Sequence, residues 1–437
     1  MWKYISLAFV GFAISQSAAA IDIQVVKINE TVDAWLVEDH SNPLITLKFG
    51  FEGGSRWDES GKAGTASLTF GSLNEGAGGM SAEAFLGTLQ DEAVSMAGSP
   101  GFKWSTVSFQ TPTASIDFAF ESLETMLTDP AFDPEGVERM RRDAMAGAVQ
   151  RERSPGAQLG KAFYEALWGA EEPRNREFSG DMDTIPAITR EDLMAVKNKV
   201  IGRNNVLIAA VGDITPDELR TRVGAILDKL PTVTPPEAID PPTFNTFDAP
   251  IEIDFDQTQS IVFAVAPAFP RTDPDNYAAR VVNHILGGGG LGSRLADKIR
   301  NELGLVYGIR SGYSAGEDYG TVSFNFATAN DAADEALDAT LAVWQEFAEN
   351  GPTQDELDEA ISYLTGSYAT YFLNSNDVVD YLLSIQIQDL PSDFPEFRND
   401  LFRAVTLEDA RRVAKRLYSE SLRFGVVGQP AEFTPYE

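Results

Sequence analysis

The chain has 437 residues, no cysteine, two histidines and a formal net charge of −32, with 43% hydrophobic and 23% charged residues. That composition describes a globular chain long enough for two or more cores, and neither a disordered nor a disulfide-stapled one. So large an acidic excess argues against a nucleic-acid partner, which requires a basic face.

The first twenty residues, MWKYISLAFVGFAISQSAAA, carry Lys3, an apolar run from Ile5 to Ile14 and small residues up to Ala20. They read as a secretory leader cut after Ala20, so the mature chain is expected to be exported, and periplasmic if the source is bacterial. No later stretch is apolar enough to predict a transmembrane span. Residues 43–51 (PLITLKFGF), 261–269 (IVFAVAPAF) and 321–329 (TVSFNFATA) alternate apolar and polar residues as half-buried antiparallel strands do.

Two stretches of the chain repeat. The segment from Ile188 (ITREDLMAVKNKV…VLIAAVGDI) returns from Val405 (VTLEDARRVAKRL…RFGVVGQ), with Thr189 matching Thr406, Glu191-Asp192 matching Glu408-Asp409, and Gly212 matching Gly428. Each copy predicts a Thr-capped helix, a loop and an apolar strand. Acid-fronted helices beginning near Asp133 and Thr353 form a second pair. Residues 231–250 hold six prolines, which block helix and inner strand alike. The layout is therefore a leader (1–20), a first half (21–230), a Pro-rich linker (231–250) and a second half (251–437). The fold class is α+β: two homologous sandwich halves, each a mainly antiparallel sheet with helices on one face.

In the second half, Gly287-x-Gly289-x-x-Gly292 has the letters of a dinucleotide fingerprint. That fingerprint must follow a strand, whereas Asn276–Gly287 reads as a helix with Val281, Val282, Ile285 and Leu286 as its apolar stripe. A phosphate cradle is the wrong reading. Downstream, Ser293 is placed to cap a helix with the stripe Leu295, Ile299 and Leu303, and Gly304 to end it. Tyr307 then shares a strand face with Leu305 and Ile309. On spacing alone Arg300 could be a surface residue paired with Asp297, and Tyr307 simply half-buried.

The run from Leu286 to Tyr313, with Gly287–Gly290, Ser293-Arg294-Leu295, Arg300 and Gly304-Leu305-Val306-Tyr307, resembles the C-terminal-half signature of the pitrilysin, or insulinase-like, family of zinc metallopeptidases. That family includes the mitochondrial processing peptidases. Ser154–Gly169 and Thr189–Ile214 resemble its first half, so the likeness covers nearly the whole mature chain. The family's zinc site is H-x-x-E-H on a first-half helix plus a later Glu: two imidazoles and a carboxylate hold zinc, and the motif Glu polarises water. Here Ser67 and Gly71 stand at the two His positions and Phe70 at the Glu, while the later Glu falls among Ala146, Gly147 and Ala148. The only histidines, His40 in a turn-like loop and His284 on a helix, have no partner at ligand spacing. No zinc is expected on this chain.

The resemblance also implies an Arg and a Tyr seven residues apart that face the zinc site across a chamber; the matching residues are Arg300 and Tyr307. It implies a catalytic role for that pair, substrate contact at Gly287, Gly288, Gly289 and Gly290, and a peptide-binding edge strand at Lys103–Thr111. In some members the zinc half-site and the Arg/Tyr pair sit on different chains. The expected partners are thus an H-x-x-E-H-bearing homologous subunit that supplies the zinc, and an unfolded or short peptide substrate. The alternative is a catalytically silent peptide-binding or scaffold homologue, such as a homodimer. A complete hydrolase of another type is disfavoured by two scattered His and no G-x-S-x-G elbow.

Overall fold

A computed structural model describes residues 21–435 apart from Ile239 and Asp248; the leader lies outside the described residues. Two sheets organise the chain. The first contains β1 (Gln24–Lys27), β2 (Asp33–Glu38), β3 (Leu44–Glu52), β4 (Ser95–Ser99), β5 (Trp104–Pro112) and β6 (Leu207–Gly212), in the order β1-β2-β6-β3-β5-β4. The second contains β7 (Ile251–Asp254), β8 (Gln259–Ala268), β9 (Ile309–Ala315), β10 (Gly320–Ala329) and β11 (Arg423–Gly428), in the order β7-β11-β8-β10-β9. Only β2/β6 and β7/β11 pair in parallel.

The first half carries helices α1 (Thr65–Gly71), α2 (Ala82–Asp91), α3 (Ile116–Thr128), α4 (Pro134–Arg153), α5 (Pro155–Trp168), α6 (Arg190–Val200) and α7 (Pro216–Lys229). The second carries α8 (Asn276–Asn283), α9 (Ala333–Asn350), α10 (Gln354–Gly366), α11 (Ser375–Ile387), α12 (Phe394–Arg403) and α13 (Leu407–Tyr418). The repeat in the sequence is a repeat in space. Thr189 before α6 and Thr406 before α13 each form a reciprocal capping box, with Asp192 and Asp409 respectively, which satisfies helix-end amides that would otherwise lack partners.

One face of each sheet packs on its own half's helices around a large core. Ile45, Leu47, Phe49 and Phe51 of β3 anchor the first, and Val322, Phe324 and Phe326 of β10 the second. The opposite faces hold what the sequence did not foretell, an exchange of helices. α11 crosses over and lays Val378, Val379, Leu382 and Leu383 on Ala209 and Val211 of the first sheet. α5 does the reverse, placing Phe163 and Leu167 on Val265 of the second sheet. Gly50 and Gly425 make room: a Cβ on either would come within 2.9 Å of a leucine methyl, Leu383 or Leu159. The described linker residues form no helix or strand, yet Phe244 and Phe247 join the α5 cluster and the Asn245 amide donates to the Leu167 carbonyl (2.8 Å).

Candidate functional site

Where the family keeps its zinc motif, α1 turns hydrocarbon into the core. Phe70 is fully buried, and a Cβ on Gly71 would meet Met140 of α4 at 3.3 Å. Ala148 of α4 is also buried, and beyond it Arg151 pairs with Glu177 (2.9 Å) and donates to the Gly180 carbonyl (2.6 Å). A guanidinium and apolar side chains cannot ligate a metal, and among the described residues no group of three His, Cys, Asp or Glu could hold one. A buried carboxylate shortly before α1 is structural. Asp58 accepts the amides of Gly64 (2.8 Å) and Ala66 (3.0 Å) at the start of α1, and burial raises its carboxyl to about 6. Zinc therefore does not fit this half.

The histidines offer no substitute. His40 lies 2.6 Å from Asp213 and 3.4 Å from Glu38, and the Asp213 hydrogen bond leads in raising its pKa. His284 stacks on Tyr363 with ring centroids 4.9 Å apart, and burial lowers its pKa.

In the second half the glycines shape the backbone. Residues His284–Gly288 form a π-helix, and the following helix runs as π over Ala296–Glu302. A Cβ on Gly287 would lie 2.5 Å from the Ser311 amide nitrogen in β9; one on Gly288 would lie 2.8 Å from Asn283, and one on Gly289 2.8 Å from the His284 carbonyl. These three glycines let the wide turns press against β9 and each other. Only Gly290, at φ +68°, and Gly292 face open space.

Several local expectations change here. Ser293 turns its hydroxyl back to the Gly290 carbonyl (2.7 Å) and does not cap the helix with its side chain. Leu295 and Ile299 are buried as expected, but Leu303 is 45% exposed, because a π turn is wider than an α turn and carries the stripe out of phase. Gly304 does end the helix, at φ +68°. β9 starts only at Ile309, so Tyr307 lies before the strand, opposite the buried Val306, and is 88% exposed.

The same geometry brings the pair together. The Arg300 guanidinium carbon sits 5.6 Å from the Tyr307 ring centroid. Among the described residues Arg300 makes no ion pair; Asp297 instead accepts a long bond from Asn301 (3.4 Å), and Glu302 is held by Lys298 (2.6 Å). Tyr307 also borders a cavity of about 670 Å³, lined by Arg310, Asn325 and Ile261 on the second sheet. That cavity opens near the start of α5, where a Cβ on Gly156 would touch Ile261 at 3.9 Å.

The predicted edge strand is displaced by one. Lys103–Thr111 falls on β5, which pairs with β3 on one side and β4 on the other, leaving no free edge. The edge is β4, a short SMAGS strand whose lack of branched side chains hides it in the sequence. Gly98 brings β4 against α1: its Cβ would lie 2.1 Å from the Phe70 carbonyl.

Comparison with known proteins agrees with this layout. The family profile described as "Peptidase M16 inactive domain" matches residues 187–364. The "non-peptidase homolog YmxG" of Helicobacter pylori is 27% identical over 372 residues, which is 84% of each chain. A crystal structure of a peptidase M16 inactive domain from Pseudomonas fluorescens superposes with a TM-score of 0.86 at 26% identity, covering 95% of this chain and 100% of that one. Together these likenesses support an M16-family member that lacks the zinc motif. The wider M16 fold extends to a chain of complex III from Candida albicans, with TM-score 0.74 and 16% identity over 94% of this chain and 96% of that one, a likeness of fold alone. Among the described residues no helix is long and apolar enough to cross a membrane.

Proposed function

We propose that this M16 homologue is the zinc-less subunit of an exported two-chain peptidase, and that Arg300 and Tyr307 complete an active site whose zinc is held by an H-x-x-E-H partner. The observation that carries this reading is the pair itself: a guanidinium without a carboxylate partner among the described residues, beside a tyrosine that is 88% exposed. Buried or salt-bridged side chains could not reach a second chain. When peptide is hydrolysed, negative charge grows on the carbonyl oxygen, and the partner's zinc would supply the activated water. The Tyr307 hydroxyl can donate to that oxygen, and the Arg300 fork can hold a neighbouring carbonyl or carboxylate. Peptide backbone can approach at Gly290 and Gly292, the two glycines of this run that front open space. Strand addition at β4 would hold an extended substrate. Export rests on the Met1–Ala20 leader; a chain that keeps these residues and is absent from the periplasmic fraction of the native host would remove that support.

The decisive experiment mixes the chain with a zinc-bearing homologue and measures cleavage of an unfolded peptide. Turnover should appear only in the mixture and fall on Arg300→Ala and on Tyr307→Phe, the latter by about 10²-fold or more if its hydroxyl stabilises the oxyanion. Unchanged turnover in both variants would sink the proposal. A second reading, a peptide-binding or scaffold homologue with no turnover, draws support from the non-peptidase standing of the Helicobacter pylori relative. It predicts peptide binding or assembly without cleavage in any mixture.

A further inference from the structure

A second cavity, of about 630 Å³, lies between α8, α11 and α12, and shares no lining residue with the one beside Tyr307. Its walls hold three arginines, Arg271, Arg280 and Arg398. In a chain of net charge −32 such a concentration calls for a reason. Elsewhere on the same half, Arg294, Arg412 and Arg416 are all tied to carboxylates. Among the described residues none of the three cavity arginines is within ion-pair distance of an acid. Arg398 donates to the Leu364 carbonyl (2.9 Å) and the Asn399 side chain (2.8 Å). The side chains of Arg271 and Arg280 make no hydrogen bond at all among those residues. Of the two acids on the lining, Glu317 is engaged by Lys103 of the first half at 2.6 Å, which leaves Asp389. The cavity is a cationic island on an acidic protein.

The rest of the wall is aromatic and held in place. Arg398 lies 4.3 Å from the Tyr368 ring and 4.5 Å from Phe402. The Tyr368 and Tyr381 hydroxyls share a 2.6 Å hydrogen bond, and Tyr277 packs edge-on to Phe402 at 5.2 Å. Tyr371, 51% exposed, stands at the mouth. Guanidinium forks match carboxylate and phosphate oxygens, tyrosine rings stack on flat apolar bodies, and the volume falls among those of small-molecule sites.

We propose that this cavity binds a small aromatic anion, with Arg271 and Arg280 taking its charged group and the tyrosine wall its ring. The test is calorimetric titration of the full mature chain with phenyl phosphate and benzoate, against inorganic phosphate (charge without ring) and benzyl alcohol (ring without charge). At least one aromatic anion should bind at least about tenfold more tightly than either control. Preference between phenyl phosphate and benzoate distinguishes a phosphate from a carboxylate ligand. The Arg271→Ala/Arg280→Ala variant, which breaks no side-chain hydrogen bond or ion pair among the described residues, should lose that binding. Arg153→Ala, which removes one positive charge from α4, should keep it. The proposal is overturned if neither aromatic anion binds at millimolar concentration, if benzyl alcohol or inorganic phosphate binds as well as they do, or if the double variant binds like the wild type.

Discussion

Phe70 stands where a zinc peptidase of this family needs its carboxylate base, and it is fully buried among apolar side chains. Loss of a core aromatic costs about 3–5 kcal/mol, and an unpaired carboxylate in its place adds desolvation. Phe70→Glu should therefore lower stability in urea by at least about 3 kcal/mol. The triple change Ser67→His, Phe70→Glu, Gly71→His should give an unfolded chain, and a folded, zinc-loaded triple variant would refute this account of α1. Glu356 shows the opposite use of a carboxylate. Burial would raise its pKa, but the Arg294 fork (2.6 and 2.8 Å) and the Thr353 amide (2.7 Å) override that and hold it at about 2, against an ordinary 4.5. A carboxyl depressed in the fold stabilises it fully above about pH 4.5, and the benefit drains away as pH falls towards 2. The side chain is 29% exposed, so screening trims the interaction to about 1–2 kcal/mol. Glu356→Gln should lose that much at pH 7 by urea denaturation, and the gap from wild type should close between pH 4.5 and 2. A gap that persists at low pH would assign the effect to packing.

The exchanged helices rest on missing side chains. Gly425 lies under α5, where a Cβ would come within 2.9 Å of Leu159 and 3.0 Å of Phe163. Gly425→Ala should lift α5 and cost about 1–3 kcal/mol, as overpacking does. Gly366, at the end of α10, has open space around its Cβ direction, so Gly366→Ala should be neutral or stabilising by up to about 1 kcal/mol. Similar losses in both would mean that generic glycine chemistry, and not the α5 contact, sets the cost. The same elements show what the sequence could reveal. Thr189 and Thr406 announced their helix caps because a cap is a local arrangement among four residues, and the fold adds the reciprocal bonds of Asp192 and Asp409. The apolar stripe of α5 announced a buried face but not whose sheet would bury it, since periodicity names no partner. The π turns around Gly287 and Ile299 escaped because the 3.6-residue period assumes an α-helix, and with them went the exposure of Leu303. β4 is hidden because SMAGS lacks strand-forming residues, which leaves β5 reading as the edge in its place. Arg300 and Tyr307 were found through a family signature, and their adjacency came from the fold.

The duplication was visible as two matched segments, yet the molecule is not two halves on a string. α5 is part of the second sheet's packing and α11 part of the first's. The Gln386 amide reaches the Ile208 carbonyl of β6 at 3.2 Å, and Lys103 reaches Glu317 at 2.6 Å. Separating the halves would bare both outer sheet faces and the apolar sides of both crossing helices, and no described linker contact could compensate. The halves should therefore hold together without a covalent bond. A protease site inserted at the exposed Pro235 and cleaved in the folded protein should leave two fragments that co-elute in size exclusion at moderate salt and unfold in a single urea transition. Loop closure is lost on cleavage, so the transition should move to lower urea once the protein is dilute. Fragments that separate under native conditions, or two well-spaced transitions in the uncut chain, would show that the exchange of α5 and α11 is too weak to bind the halves, and that the linker does that work instead.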